Sequence, residues 1–229
     1  MVICLEQTVG IDGSEYSLYK RDDEYIIRVN GYELMTSLCH GTEERLAVSS
    51  FDEIAACPAP RLLVGGLGMG FTLRKLLELL PVKGVLQVAE IEPAVIRWNK
   101  TYFRECNGNI LDDERVQICE GDVIQKIRDN EKYDAIILDI DNGPSPLSAP
   151  GNSWLYSADG ISAIYRSLDS GGVFTLWSAF MDEKFVQRLE ECGFNVVVEH
   201  IYSYKDRSSG EYIIFKCNKG SISTSAFQE

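Results

Sequence analysis

The stretch Arg61-Leu-Leu-Val-Gly-Gly-Leu-Gly-Met-Gly70 most constrains what this chain can fold into. A short apolar run leads straight into four glycines within six positions, Gly65, Gly66, Gly68 and Gly70. Thr72 to Leu80 follows with helical propensity, and Pro81 stops it. A strand, a glycine turn and a helix start form a nucleotide cradle. Glycines turn the backbone tightly and admit a close ligand, and the first N–H groups of the helix face whatever binds there. About twenty residues on, such folds place an acid for the ribose. Val85 to Ile91 reads as the second strand, with Glu90 at its end. A plain βα turn and a solvated strand-end charge are the bland alternatives. The spacing between glycine loop and acid favours the nucleotide reading.

The remaining elements follow in order. Before the glycine loop, residues 1–36 read as strands. Tyr16–Tyr19 and Tyr25–Val29 flank a charged turn, Asn30-Gly31 signals a hairpin, and Tyr32–Met35 is its return strand. Thr42 is expected to cap a helix whose first turn carries Glu43 and Glu44. Ser50-Phe-Asp-Glu53 reads as a second capping box before Ile54. From Arg61 onward strands and helices alternate. Pro93 to about Phe103 is helical, Arg115–Cys119 is a strand, and Val123–Arg128 is a helix. Tyr133–Asp139 is a strand apolar enough to be buried on both faces. A long Pro- and Gly-bearing segment, Ile140 to Ser153, has the length of a lid. Ser157–Leu168 is a helix, Val173–Trp177 a strand, and Asp182–Cys192 a helix stopped by Gly193. Asn195–Tyr202 and Glu211–Cys217 have no helix between them and must pair antiparallel.

The expected organisation is therefore α/β, a doubly wound, seven-stranded, mostly parallel sheet preceded by a small β-meander. Residues 1–57 form the meander and a helical linker, 58–218 the nucleotide-binding domain, and 219–229 a flexible tail. The ligand belongs at the carboxyl ends of the strands. The glycine loop, Glu90, Asp122 and Asp139 all fall at such ends.

Composition narrows the partners. A net charge of −13 argues against a nucleic-acid backbone and would draw in a cationic substrate. No apolar run is long enough to cross a bilayer. Met1–Glu6 lacks the basic and apolar regions of a signal peptide. Seven dispersed cysteines without a Cys-x-x-Cys pair read as reduced cytoplasmic thiols, and two histidines far apart make no metal site. The hairpin's open edge can pair with a second copy as a homodimer.

At these residues the sequence resembles the spermidine synthase-like branch of the class I S-adenosylmethionine-dependent methyltransferase superfamily. The matching pieces are Val64–Gly70, Ala89–Pro93 with Val95-Ile96, Leu111–Val116, Glu120-Gly-Asp122 and Tyr133–Asp139. The resemblance implies a reversed last strand and a set of roles. Gly65, Gly66, Gly68, Glu90, Ile91, Asp122, Val123 and Asp139 would hold the adenosyl donor, either S-adenosylmethionine or its decarboxylated form. Glu90 would bind the ribose hydroxyls, Asp122 the adenine amino group with Val123 beside the ring, and Gly66 and Gly68 would lie under the sulfonium side. Asp139 matches the acid that takes the proton of the attacking amine.

The departures from the family pattern shape the expected activity. Gly68 stands where the family's loop carries an acid, Asp139-Ile-Asp-Asn-Gly-Pro144 replaces its acidic segment, and Trp177-Ser-Ala179 replaces its Gln and Glu. Loss of that acidity points to an S-adenosylmethionine-dependent methyltransferase acting on a small acceptor, an amine or other cation among the candidates. Asp139 and Asp141 are its expected catalytic pair, although Asp-Asn-Gly is also turn chemistry. Asp141, Asn152, Trp154, Tyr156 and Trp177 are the expected acceptor-site residues, the aromatics forming a wall suited to a cation or serving as core. A polyamine aminopropyltransferase is the first alternative, and a non-catalytic nucleotide-binding protein the second.

Overall fold

A computed structural model describes residues 1–129, 131–140, 143–144, 150–202 and 210–220. The first four strands are β1 (Val2–Val9), β2 (Glu15–Arg21), β3 (Glu24–Val29) and β4 (Tyr32–Thr36). They form an antiparallel meander in sequence order. The Asn30-Gly31 turn takes φ of 51° and 82°, the doubly left-handed geometry that suits a tight hairpin.

Helix α1 (Gly41–Asp52) joins the meander to the main sheet. It corrects two capping expectations. Thr42 lies inside the first turn, and its hydroxyl donates to Oε2 of Glu43 at 2.6 Å. Ser50 opens no second helix. It sits within α1, donates to the carbonyl of Leu46 at 2.7 Å and pairs with the Thr175 hydroxyl at 2.6 Å. A buried polar partner on the sheet, and not a helix start, explains the serine.

The main sheet contains β5 (Arg61–Gly65), β6 (Val85–Glu90), β7 (Val116–Glu120), β8 (Tyr133–Leu138), β9 (Leu168–Ser178), β10 (Phe194–Tyr202) and β11 (Glu211–Lys219). Their order is β10-β11-β9-β8-β5-β6-β7. Strands β5 through β9 pair parallel, and β11 runs antiparallel to both neighbours. Helices α2 (Phe71–Leu79), α3 (Pro93–Thr101), α4 (Arg104–Asn107), α5 (Val123–Arg128), α6 (Ala158–Ser167) and α7 (Glu183–Glu191) fill the crossovers. The expected helix to Phe103 thus breaks at Thr101 and resumes at Arg104. Strand β9 begins earlier than expected, because a register shift against β8 absorbs Ser170-Gly-Gly172.

Alternation along the buried strands splits the interior in two. Leu62 and Val64 of β5, Ala135 and Ile137 of β8 and Val173 of β9 face one core, shared with α1, α2, α3 and the meander. Leu63, Ile136, Leu138, Phe174 and Leu176 face the other, shared with α5, α6 and α7. Removing any of these large side chains would cost roughly 2–5 kcal/mol.

Helix α1 is also held by polar contacts to the sheet's far edge. Ser49 donates to Oε1 of Glu199 at 2.6 Å, and Arg45 reaches Oε2 at 2.7 Å. Lys216 lies 3.0 Å from Glu53 and 3.4 Å from Glu199. Among the described residues no helix is long and apolar enough to cross a membrane.

Candidate functional site

Three hydrogen bonds tie the carboxyl ends of the central strands together. Gly66 N donates to the Ala89 carbonyl at 2.9 Å, Asp139 N to that of Gly65 at 2.9 Å, and Gly121 N to that of Glu90 at 2.8 Å. Glycine is required at position 66 for two reasons. Its φ is +90°, and a Cβ there would fall 2.2 Å from the Asp139 carbonyl oxygen. The end of β8 therefore lies directly against the glycine turn. At Gly65 a Cβ would meet Val123 at 3.0 Å, so the turn also touches the first residue of α5. Gly68 faces the meander, with the Met35 Cε 3.1 Å from where a Cβ would stand.

Two asparagines that were not singled out in the sequence hold the loop. Asn99 donates to the Gly68 carbonyl at 2.8 Å. Asn107 donates to the Met69 carbonyl at 2.8 Å and to Oδ1 of Asn99 at 2.7 Å. Both are buried, so their amides replace the water that the loop carbonyls would otherwise need.

Glu90 is buried at the end of β6. Its Oε2 accepts from Leu67 N and its Oε1 from Glu92 N, each at 2.8 Å. Burial raises its pKa, and the backbone donors oppose that shift. Gly68 N is a third backbone donor to the carboxylate, which leaves one lone pair for a further donor. Ile91 is exposed between buried Glu90 and buried Glu92, an apolar side chain presented at the strand end. Asp122 caps α5, with Oδ1 accepting from Ile124 N at 2.8 Å, and Val123 is buried behind it. The Gly10–Ser14 turn of the meander reaches the same edge, where Ile11 N donates to Oε2 of Glu92 at 3.2 Å. Burial there, with Asp12, Glu92 and Glu90 nearby, pushes Tyr16 up to about 12.

Asp139 follows β8. Its Oδ2 accepts from the Thr72 hydroxyl at 2.8 Å, and burial raises its pKa. Glu43, at the start of α1, approaches the same place. The Thr72 hydroxyl lies 3.5 Å from the Glu43 carbonyl. Burial and the Asp139 carboxylate push Glu43 up to about 7. The sequence showed Glu43 only as a helix-dipole acid. Topology held the missing signal: a helix that enters β5 from its amino end must start at the sheet's carboxyl edge.

Structure thus brings Gly65, Gly66, Gly68, Glu90, Ile91, Asp122, Val123 and Asp139 to one edge. The three aromatics expected to form one wall pack on opposite faces of the sheet. Trp177 is half-buried against the core under α1, its ring tilted 30° to that of Tyr212 with centroids 5.3 Å apart. Tyr156 is buried in the opposite core with its edge toward Phe185 at 5.8 Å, and Trp154 packs there under the Arg128 guanidinium at 4.3 Å. The period of two along β9 sends Trp177 to the face away from the other two. Asn152 lies in the short turn Pro150–Trp154, its carbonyl accepting from Leu155 N. Asp141 lies outside the described residues, as does half of the expected lid.

Comparison with known proteins bears on the whole. The spermine/spermidine synthase domain family matches residues 54–204. A polyamine aminopropyltransferase of Sulfolobus acidocaldarius is 35% identical over 124 residues, covering 52% of this chain and 38% of its own. Its counterpart in Thermoanaerobacter sp. (strain X514) is 32% identical over 137 residues, 58% of this chain and 47% of its own. The chain spans less than half the length of these relatives. A solved spermidine synthase from Thermotoga maritima superposes with a TM-score of 0.74 at 20% identity, covering 95% of this chain and 73% of that one. A spermidine synthase in complex with the transition state analogue AdoDATO gives 0.73 at 20% identity, covering 95% and 72%. These two carry the fold.

The matches overturn the methyltransferase expectation, because the family and the curated relatives are named for aminopropyl transfer to polyamines. That expectation weighed the departures at Gly68, at Asp139–Pro144 and at Trp177–Ala179, whereas Glu43 brings a carboxylate to the same edge from another element. With the sheet order, the reversed last strand and the family match agreeing, this chain belongs to the spermine/spermidine synthase domain family, a branch of the class I methyltransferase fold.

Proposed function

We propose that this protein transfers an aminopropyl group from decarboxylated S-adenosylmethionine to a small polyamine. The observation that carries the reading is Asp139, a carboxylate fixed by Thr72 against the backbone of the glycine turn. The edge fits an adenosyl group. Buried Glu90 retains acceptor capacity for a ribose hydroxyl, Ile91 and Val123 offer apolar surface to a ring, and Gly66 leaves its side of the cleft without a Cβ. The half-buried carboxylate of Asp122 is the acceptor this reading assigns to the exocyclic amine of the ring.

When bound, the donor supplies an electrophilic propyl carbon on a sulfonium: a nitrogen–carbon bond forms, the carbon–sulfur bond breaks, and the thioether leaves with the electron pair. The protein's own part is to align the amine and take its proton. Burial makes Asp139 a stronger base than an exposed aspartate, which suits that step. The net charge of −13 concentrates polycations near the edge. Val2 and Ile3 on β1 and Leu34 on β4 are exposed edge residues, which supports pairing with a second copy, and sedimentation at two concentrations tests that.

The main test incubates the full chain with the decarboxylated donor and a panel of diamines and triamines. Mass spectrometry should find an amine lengthened by one aminopropyl unit, with methylthioadenosine in equal amount. No lengthened amine across the panel would overturn the reading.

A further inference from the structure

We propose that Glu43 is a second acceptor-binding carboxylate, holding an ammonium charge of the polyamine beside Asp139 and so setting how cationic the acceptor must be. This rests on the aminopropyl-transfer reading above.

Three observations converge on it. Thr72 links the end of β8 to the start of α1, its hydroxyl 2.8 Å from the Asp139 carboxylate and 3.5 Å from the backbone carbonyl of Glu43. The Glu43 carboxylate is fixed, since Thr42 donates to its Oε2 at 2.6 Å. The bases closest along α1 and α2 are engaged by the next residue instead. Arg74 reaches Oε1 of Glu44 at 2.6 Å, and His40 lies 3.0 Å from it. Among the described residues, neither Glu43 nor Asp139 has a Lys, Arg or His ion pair.

Two half-buried carboxylates without a counter-cation repel, and such a pair holds a proton to higher pH than either alone. Here burial and Asp139 push Glu43 up to about 7, with Glu44 adding a smaller repulsion. The groups facing Glu43 are Asp139 after β8, Thr72 on α2, and Thr42 and Glu44 on α1. An arriving ammonium lets both acids ionise. Acceptor affinity then rises with pH through the Glu43 titration, and a neutral or anionic nucleophile gains nothing from the pair.

The experiment measures kcat and KM for 1,4-diaminobutane, and KM for the decarboxylated donor, between about pH 6 and pH 9. It compares the full wild-type chain with Glu43→Gln and Glu43→Asp. Glu43→Gln should raise the diamine KM by about tenfold, leave the donor KM within about twofold, and erase the rise in diamine affinity across neutral pH. Glu43→Asp should keep that pH dependence and recover part of the affinity. An unchanged diamine KM in Glu43→Gln, or a pH dependence that survives it, would overturn the proposal while wild-type turnover left the aminopropyl reading intact. A wild-type chain that lengthens no amine overturns both.

Discussion

Thr72 donates its hydroxyl to Oδ2 of Asp139 at 2.8 Å, fastening the first turn of α2 to the end of β8. The bond orients the carboxylate proposed to take the amine's proton. Thr72→Val keeps the shape and removes the donor, which should cost about 1–3 kcal/mol of stability or positioning. Turnover should fall well below wild type while affinity for methylthioadenosine, read by titration calorimetry, stays near it. Thr72→Ser should restore turnover. Equal loss of nucleoside affinity would show that the hydroxyl shapes the whole cleft.

The same edge makes stability depend on pH in an unusual direction. Glu43 titrates near 7 in the folded chain and near 4.5 in an unfolded one. Between those values the folded state holds a proton that the unfolded state has released, so stability falls as pH rises through the window. Glu43→Gln should flatten that fall and stabilise the protein above neutral pH, on the order of 2 kcal/mol. Denaturant unfolding at about pH 5 and pH 8 checks it. A variant that is less stable than wild type at the higher pH would contradict the sign.

Asn107 holds the glycine loop through the Met69 carbonyl and through Asn99. Asn107→Ala strands a buried carbonyl and frees the Asn99 amide pair, costing about 1–3 kcal/mol. Thermal unfolding should show the loss. Nucleoside affinity should drop with it, because the loop that frames the cleft loses its support. Full affinity in a destabilised variant would separate loop anchoring from binding.

Glu90→Ala should weaken methylthioadenosine binding by about 1.5–3 kcal/mol, the worth of a charge-assisted hydrogen bond. It also leaves Leu67 N and Glu92 N without their acceptor. Glu90→Gln separates the two effects, since the amide can still accept from one of them. If calorimetry finds wild-type affinity in both variants, the ribose role is wrong.

Much of the architecture was legible because the chain's local signals agree. Val123–Arg128 is helical with Asp122 as its cap, and Asp182 and Ser157 cap α7 and α6 as their residue types allow. Tyr133–Leu138 is buried on both faces, as its unbroken apolar run requires. The glycine loop and its acids reached one edge because a parallel sheet sends every βα turn the same way. What failed to show depends on distance in the folded chain. Ser50 resembles a cap until Thr175 is beside it. Trp154 and Trp177 look like companions until β9 alternation parts them. Glu43 on α1 is separated from Asp139 by every element from β5 through β8, and no spacing rule joins them. The chemistry was misjudged for the same reason, since an acid's absence at Gly68 says nothing about acids arriving from elsewhere.

Helix α1 carries Glu43 at its beginning and is clamped further along, where Ser49, Arg45 and Lys216 gather around Glu199 and Glu53. A helix is stiff, so a clamp on one part fixes the reach of the rest. On the role proposed for Glu43, selectivity for the acceptor is adjustable by remote control. Exchanging residues on the outermost hairpin would tilt the rod and move its leading carboxylate, with every pocket-lining side chain left as it is.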